Sequence, residues 1–429
     1  MAELIESEVA TMKFLKQNSS IPLPDVMGHS SSQSNDIGIP FIITTKAVGS
    51  PLSNFVWEPL PEGKKPHKKL PCLKTVDKEK ILRQLGAVTA QLLNLPLEKI
   101  GSLHEKDGEF LMGKCLSPAF TWYSRDSLGD YVLRGPFKSD KEYYESLIAL
   151  FRHHAERFPL EHHVLFAPVP QVREFTADSS YRSAVGRWND FVTVGSKIDS
   201  KKNRLDYCTV AHMLRDVVPS ISANLQRSFY LMHPDISMSN IFVDDDFNIT
   251  SIIDWTNSST VPLSTLLITP SFPHARNEVN SNLVPVFEDS LIHHYSQTNK
   301  NILDAQSWDS TRSSWLFMRL VTLDGLQDYN YFVELYTSVF GTTDETTVRR
   351  LFNTIQEDHD FMERARTLAK ADPSIDEILN EEEDYFCDSA SGAEAIARKL
   401  TVVASLNQEF IADSKLWRWI EEATSTSGS

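Results

Sequence analysis

Three side chains suited to phosphoryl transfer are gathered in one short stretch of this chain. Asp235 and Asn240 lie five residues apart in the run Pro234-Asp-Ile-Ser-Met-Ser-Asn240, and Asp254 follows fourteen residues later. One carboxylate can take or orient the proton of an attacking hydroxyl. An amide oxygen and a second carboxylate are hard donors that hold Mg²⁺ against nucleotide phosphates. Keeping base and metal donors on separate residues lets the cation neutralise phosphate charge without quenching the base. Taken alone, the same residues also read as ordinary turn chemistry, because Asp and Asn favour turns.

The elements around them decide how they meet. Phe229 to His233 is a short apolar run entering the polar loop. Ile241-Phe-Val243 and Ile249 to Ile253 flank Asp244-Asp-Asp-Phe-Asn248, which reads as a hairpin with an acidic turn. That hairpin would set Asn240 and Asp254 at one end of a small sheet. The acidic turn lacks the spacing and terminal Glu of a calcium loop, so it reads as solvated.

Upstream, Ala2 to Gln17 has the stripe Ile5, Val9, Met12 and Lys16 and is predicted helical, with Pro22 and Pro24 beyond it. Pro40 to Val48 is rich in β-branched residues and is predicted as a strand. A helix is expected from Asp77, on the period Ile81, Leu85, Val88 and Leu92. A second follows the capping box Ser139-Asp-Lys-Glu142, and the chain from Ser314 onwards reads as mainly helical, including 351–370 and 393–420.

With these residues in place, the sequence resembles the aminoglycoside phosphotransferase and choline-kinase-like enzymes, especially fungal members. Their catalytic loop runs His-Gly-Asp, four residues, Asn, followed by a hairpin ending in Ile-Asp. His233, Asp235, Asn240 and Ile253-Asp254 match in order and spacing. Further similarity runs through Ser7 to Met12, Ile21 to Pro24, Pro40 to Leu52, Gly101 to Leu103, Arg134 to Phe137 and Thr260 to Leu263.

The resemblance implies a catalytic base at Asp235 and a bracing residue at His233. It implies Mg²⁺ ligands at Asn240 and Asp254, and a helix carboxylate at Glu8 that would pair with a lysine on a third strand. It also implies a hinge at Thr45, Lys46 and Ala47 whose backbone would hold adenine. ATP and Mg²⁺ are the implied cofactors, and a small-molecule hydroxyl is the implied acceptor. The family's glycine after His is Pro234 here, which removes an N–H and fixes φ.

The implied fold class is α+β, a protein-kinase-like two-lobe fold with a truncated amino lobe and a large, mainly helical carboxyl lobe. Residues 1–52 would be the amino-lobe remnant, 53–340 the carboxyl lobe and 341–429 an acidic helical extension. In the family the Glu-bearing helix follows three strands carrying a glycine loop and the lysine, roughly 30 residues or more. Here that helix begins at residue 2. Two alternatives to a live kinase are therefore expected: a non-catalytic kinase-fold binding protein, or a truncated, inactive gene product.

Composition narrows the setting. The chain has 429 residues and 41% hydrophobic content, enough to bury a substantial core. Its net charge of −16 disfavours a nucleic-acid partner. Residues 341–429 carry 19 Asp and Glu against 9 Lys and Arg, so ten of those negative charges sit near one end and describe the site poorly. Four dispersed cysteines, no apolar run of membrane-spanning length and an acidic start point to an intracellular, cytoplasmic protein without a transmembrane segment. Some members of the resembled family carry a label linking them to mitochondrial inheritance, which leaves a mitochondrial association open.

One decoy is set aside. Gly108 to Cys115 nearly fits a phosphate-binding loop, yet Cys115 stands where a hydroxyl should reach Mg²⁺, and Pro118 follows. Gly101 to Pro118 reads better as a hairpin.

Overall fold

A computed structural model describes residues 2–57, 70–122, 125–129, 131–157, 201–222, 228–272, 278–297, 303, 305–322, 328–341 and 345–370. The fold is mixed α+β, with helices around several small antiparallel sheets. The chain divides into two compact units, one of 1–151, 214–322 and 330–343, the other of 152–213, 323–329 and 344–429.

The first unit carries the candidate site. Helix α1 (Ala2–Asn18) buries Ser7, Val9, Ala10, Thr11, Met12 and Leu15. Lys16, the last member of the predicted stripe, lies exposed and pairs with Asp25 at 2.9 Å. Strands β1 (Val26–Ser30) and β2 (Phe41–Thr44) form an antiparallel pair. The predicted strand to Val48 therefore stops four residues early. The Thr45 amide turns to the Asp25 carbonyl, and the Val48 amide is taken by the Ser251 hydroxyl. The short β3 (Ser50–Pro51) then pairs with β7 (Ile241–Val243), and β7 with β8 (Ile249–Ile252).

Helix α2 (Thr75–Leu93) starts two residues before the expected Asp77, whose carboxylate accepts the Lys74 amide at its N-terminus. Its predicted apolar stripe is buried at Ile81, Leu85, Val88 and Leu92. Gln84 fixes it to the acidic hairpin: its Nε2 donates to the Phe247 carbonyl at 2.9 Å, and its Oε1 accepts the Ile249 amide at 2.7 Å. Gly86 lets α2 lie against α7 (Val284–Ser296), since a Cβ there would come within 2.7 Å of the Phe287 carbonyl oxygen.

The phosphate-loop decoy is a hairpin, β4 (Leu103–Lys106) and β5 (Glu109–Met112), turning at Asp107-Gly108. Pro118 opens the short α3 (Pro118–Thr121), at a position that needs no N–H donor. The capping box forms with one shift. The Ser139 hydroxyl accepts the Glu142 amide at the start of α4 (Asp140–Arg157), but the Glu142 carboxylate reaches back to the Lys138 amide. Strand β6 (Tyr230–Met232) pairs with β9 (Ser259–Val261), which leads into the short α6 (Leu263–Leu266). Helix α5 (Lys201–Ile221) precedes β6 in the chain, while α8 (Ala305–Asp309), α9 (Thr311–Thr322) and α10 (Asp328–Phe340) follow α7. The core of this unit runs through Leu15, Leu52, Leu85, Leu231, Ile241, Ile252, Trp255 and Phe287.

In the second unit, α11 (Glu345–Glu357) and α12 (His359–Ala369) replace the single helix expected over 351–370. Asp358 caps α12, accepting the Phe361 amide at 2.8 Å. Gln356 donates to Asp206 and Thr209, and Arg364 pairs with Glu156. The lysine-rich 58–69 and the helix expected over 393–420 lie outside the described residues. Among the described residues, no helix is long and apolar enough to cross a membrane.

Candidate functional site

The loop between β6 and β7 carries His233, Asp235 and Asn240, and β8 delivers Asp254. The pairing of Ile241 with Ile252 sets this register. One further bond extends the ladder: the Ile253 amide donates to the Asn240 carbonyl at 3.0 Å. Asn240 thus sits across from Ile253, and Asp254 comes next. The expected meeting of Asn240 and Asp254 at one end of the hairpin is what the backbone provides.

His233, 6% exposed, ties the loop together. Its Nδ1 accepts the Asp235 amide at 3.1 Å, and its Nε2 lies 2.9 Å from the Ile253 carbonyl oxygen. Its ring meets Trp255 edge to face, with centroids 4.7 Å apart. Burial holds the imidazole below its usual range, against the opposing pull of the Ile253 carbonyl and of Asp235 and Asp254.

Asn240 spends its amide NH₂ on Asp235, donating to the backbone carbonyl at 2.9 Å and to Oδ2 at 3.1 Å. That orientation leaves the amide oxygen for another partner. Asp235 is half-buried and Asp254 is exposed. Asp254 adopts a left-handed backbone, φ 63°, which Asp tolerates better than most residues. No hydrogen bond reaches its carboxylate among the described residues. The turn after it is well tied. Asn257, also left-handed at φ 62°, donates to the Leu116 carbonyl and the Thr121 hydroxyl, and the Ser258 carbonyl accepts the Ser102 hydroxyl.

Helix α1 places Glu8 against this same turn. The Thr256 hydroxyl donates to the Glu8 carboxylate. Burial raises the Glu8 carboxyl above its usual range, Thr256 opposes that, and the nearby Asp254 charge adds to it. Glu8 meets Thr256 where the resembled family has a lysine, and no ion pair reaches it among the described residues. Thr256 is the contact that sequence reasoning missed. The two residues stand 248 positions apart, and no local pattern links them.

The hinge segment also reaches the hairpin. The Val48 amide donates to the Ser251 hydroxyl at 3.2 Å, and the Thr250 hydroxyl donates to the Val48 carbonyl. Thr45 and Lys46 are exposed and Ala47 is half-buried. The backbone groups of Lys46 and Ala47 make no backbone hydrogen bond among the described residues.

No protein-family model matches the chain. It is similar to two subtelomeric hrmA-associated cluster proteins from two strains of Aspergillus fumigatus. Each is 24% identical over 288 residues, covering 62% of this chain and 52% of the relative. The chain therefore spans about half the length of the curated relatives it matches.

Among the described residues, no group of three or more His, Cys, Asp or Glu side chains is placed to hold a metal ion. The Asn240 amide oxygen and the Asp254 carboxylate are both hard donors, and neither is consumed by the bonds that fix the loop.

Proposed function

We propose that this chain is a phosphotransferase of the aminoglycoside-phosphotransferase and choline-kinase-like kind, with a protein-kinase-like architecture. It moves the γ-phosphate of ATP to a hydroxyl, the acceptor being a small molecule. The observation that carries this reading is the hydrogen-bonded set Asp235–Asn240, joined through His233 to Ile253, the residue before Asp254. It supplies a candidate base and two candidate metal donors on one braced backbone unit.

In this reading the Asp235 carboxylate orients the acceptor hydroxyl and takes its proton, while the Asn240 NH₂ keeps that carboxylate from rotating away. The Asn240 amide oxygen and Asp254 would hold Mg²⁺, which when bound supplies positive charge against the transferring phosphoryl group. The Lys46 and Ala47 backbone is free to accept and donate to an adenine edge, as strand-edge peptide groups do.

One observation favours a second reading, a non-catalytic kinase-fold binding protein. The Glu8 carboxylate faces Thr256 rather than a lysine that could grip phosphate.

The test is Mg·ATP binding followed by turnover. A ligand that binds only the folded state raises the melting temperature. The wild-type chain is expected to show that rise and Asp254→Asn to lose it, while Asp235→Ala keeps the rise and loses phosphate transfer. A rise without turnover on any amino-sugar or amino-alcohol acceptor supports the binding protein. No rise in the wild-type chain overturns the kinase reading.

A further inference from the structure

Glu8 stands on the first helix, far in sequence from the Asp254 turn, yet its carboxylate is spent on that turn and on no cation among the described residues. The turn needs holding. Asp254 and Asn257 are both left-handed, a conformation that costs non-glycine residues energy and persists only where contacts over-determine it. Three contacts fix its far half: Asn257 to Leu116, Asn257 to Thr121, and Ser258 to Ser102. On the Asp254 side, His233 anchors the preceding residue, its Nε2 2.9 Å from the Ile253 carbonyl oxygen. The Trp255 indole donates to the Ile252 carbonyl at 3.2 Å, behind the turn, and Thr256 is held from α1 by Glu8.

We infer that Glu8 is a positioning residue for Asp254: through the Thr256 hydroxyl it clamps the turn that aims the Asp254 carboxylate, a task distinct from pairing with a lysine. The inference rests on the phosphotransferase reading for its consequence in metal–nucleotide binding. Its structural half stands without that reading. The chemistry sets a sharp requirement. A clamp of this kind needs an acceptor oxygen for the Thr256 O–H, and an uncharged amide oxygen serves. An ion-pair role needs the negative charge, which an amide lacks.

The full chain and three variants, Glu8→Gln, Glu8→Ala and Thr256→Val, are compared in two measurements. The first is amide exchange by mass spectrometry over 249–258, which reports local opening of the turn. Glu8→Ala and Thr256→Val are expected to speed exchange at 255–257 about tenfold, and Glu8→Gln is expected to restore most of the protection. The double variant should be no worse than Glu8→Ala, because Glu8→Ala already removes the contact that Thr256→Val would remove. The second is titration with Mn²⁺ and ATP. Affinity should fall about tenfold in Glu8→Ala and Thr256→Val and recover in Glu8→Gln, with α2 and β4–β5 exchange unchanged in all.

Wild-type exchange in Glu8→Ala overturns the inference, as does a Glu8→Gln variant as impaired as Glu8→Ala. A wild-type chain that fails to bind Mn²⁺ and ATP removes the phosphotransferase reading instead, and the exchange result still decides the clamp.

Discussion

The imidazole of His233 joins the two strands of chemistry in this molecule: Nδ1 accepts the Asp235 amide at 3.1 Å while Nε2 faces the Ile253 carbonyl at 2.9 Å. An amide can only donate, so Nδ1 carries no proton and Nε2–H donates to Ile253. The neutral ring satisfies both contacts, in keeping with burial holding the imidazole below its usual range. Replacing it by alanine removes both bonds and opens a gap beside Trp255. His233→Ala is expected to lower stability by about 2 to 4 kcal/mol, read as a fall in the urea midpoint.

Asn240 lends its NH₂ to the Asp235 carboxylate at 3.1 Å. Asn240→Asp is nearly isosteric but turns that donor into an oxygen, setting two carboxylates against each other in a largely buried position. At neutral pH this variant should be less stable than Asn240→Ala, although alanine loses more atoms, by about 1 to 2 kcal/mol. Paired urea unfolding curves at pH 7 check the order. The reverse order would mean that the Asn240 amide oxygen, and not its NH₂, faces Asp235.

Much of this arrangement is legible in the residues themselves. Val9 and Met12 of the α1 stripe, the α2 period, the capping serine of α4 and the acidic hairpin all fall where their local patterns place them. Each is set by interactions within a few residues, which is the range a pattern can report. The hinge is different. Residues 45–48 have the β-branched character of a strand, yet they end as irregular chain because side chains of β8, some 200 residues away, take the Val48 amide and carbonyl. Glu8 is different for the same reason. Its partner is settled by the packing of α1 against the Asp254 turn, which no spacing in the sequence encodes.

The junction between hinge and hairpin turns on Gly49. Its φ of 91° lies where side chains strain the backbone, and a Cβ there would come within 2.4 Å of the Val243 carbonyl oxygen and 2.6 Å of the Thr250 hydroxyl. Gly49→Ala must therefore shift β3 off β7 or break the Thr250 contact to Val48. The expected cost is about 2 to 3 kcal/mol in chemical denaturation. Thr250→Val, which removes the contact but not the space, should cost only about 1 kcal/mol.

Asp140 offers a pH-dependent test remote from the chemistry. It opens α4 at 8% exposure, and burial pushes its carboxyl up to about 6, with its own amide partly offsetting the rise. The sign follows from which state holds more protons. Between the ordinary carboxylate value and about 6, the folded protein keeps a proton on Asp140 that the unfolded chain has lost. Stability therefore falls as pH rises through that window, and the loss is complete above it. Asp140→Asn, neutral throughout, escapes this loss while keeping the shape of the protonated acid. At about pH 3.5 the two proteins should unfold alike, and at about pH 7 the variant should be more stable by roughly 2 to 3 kcal/mol. Thermal unfolding across that range checks it. Parallel curves for the two proteins at every pH would mean that Asp140 is solvated in the folded state.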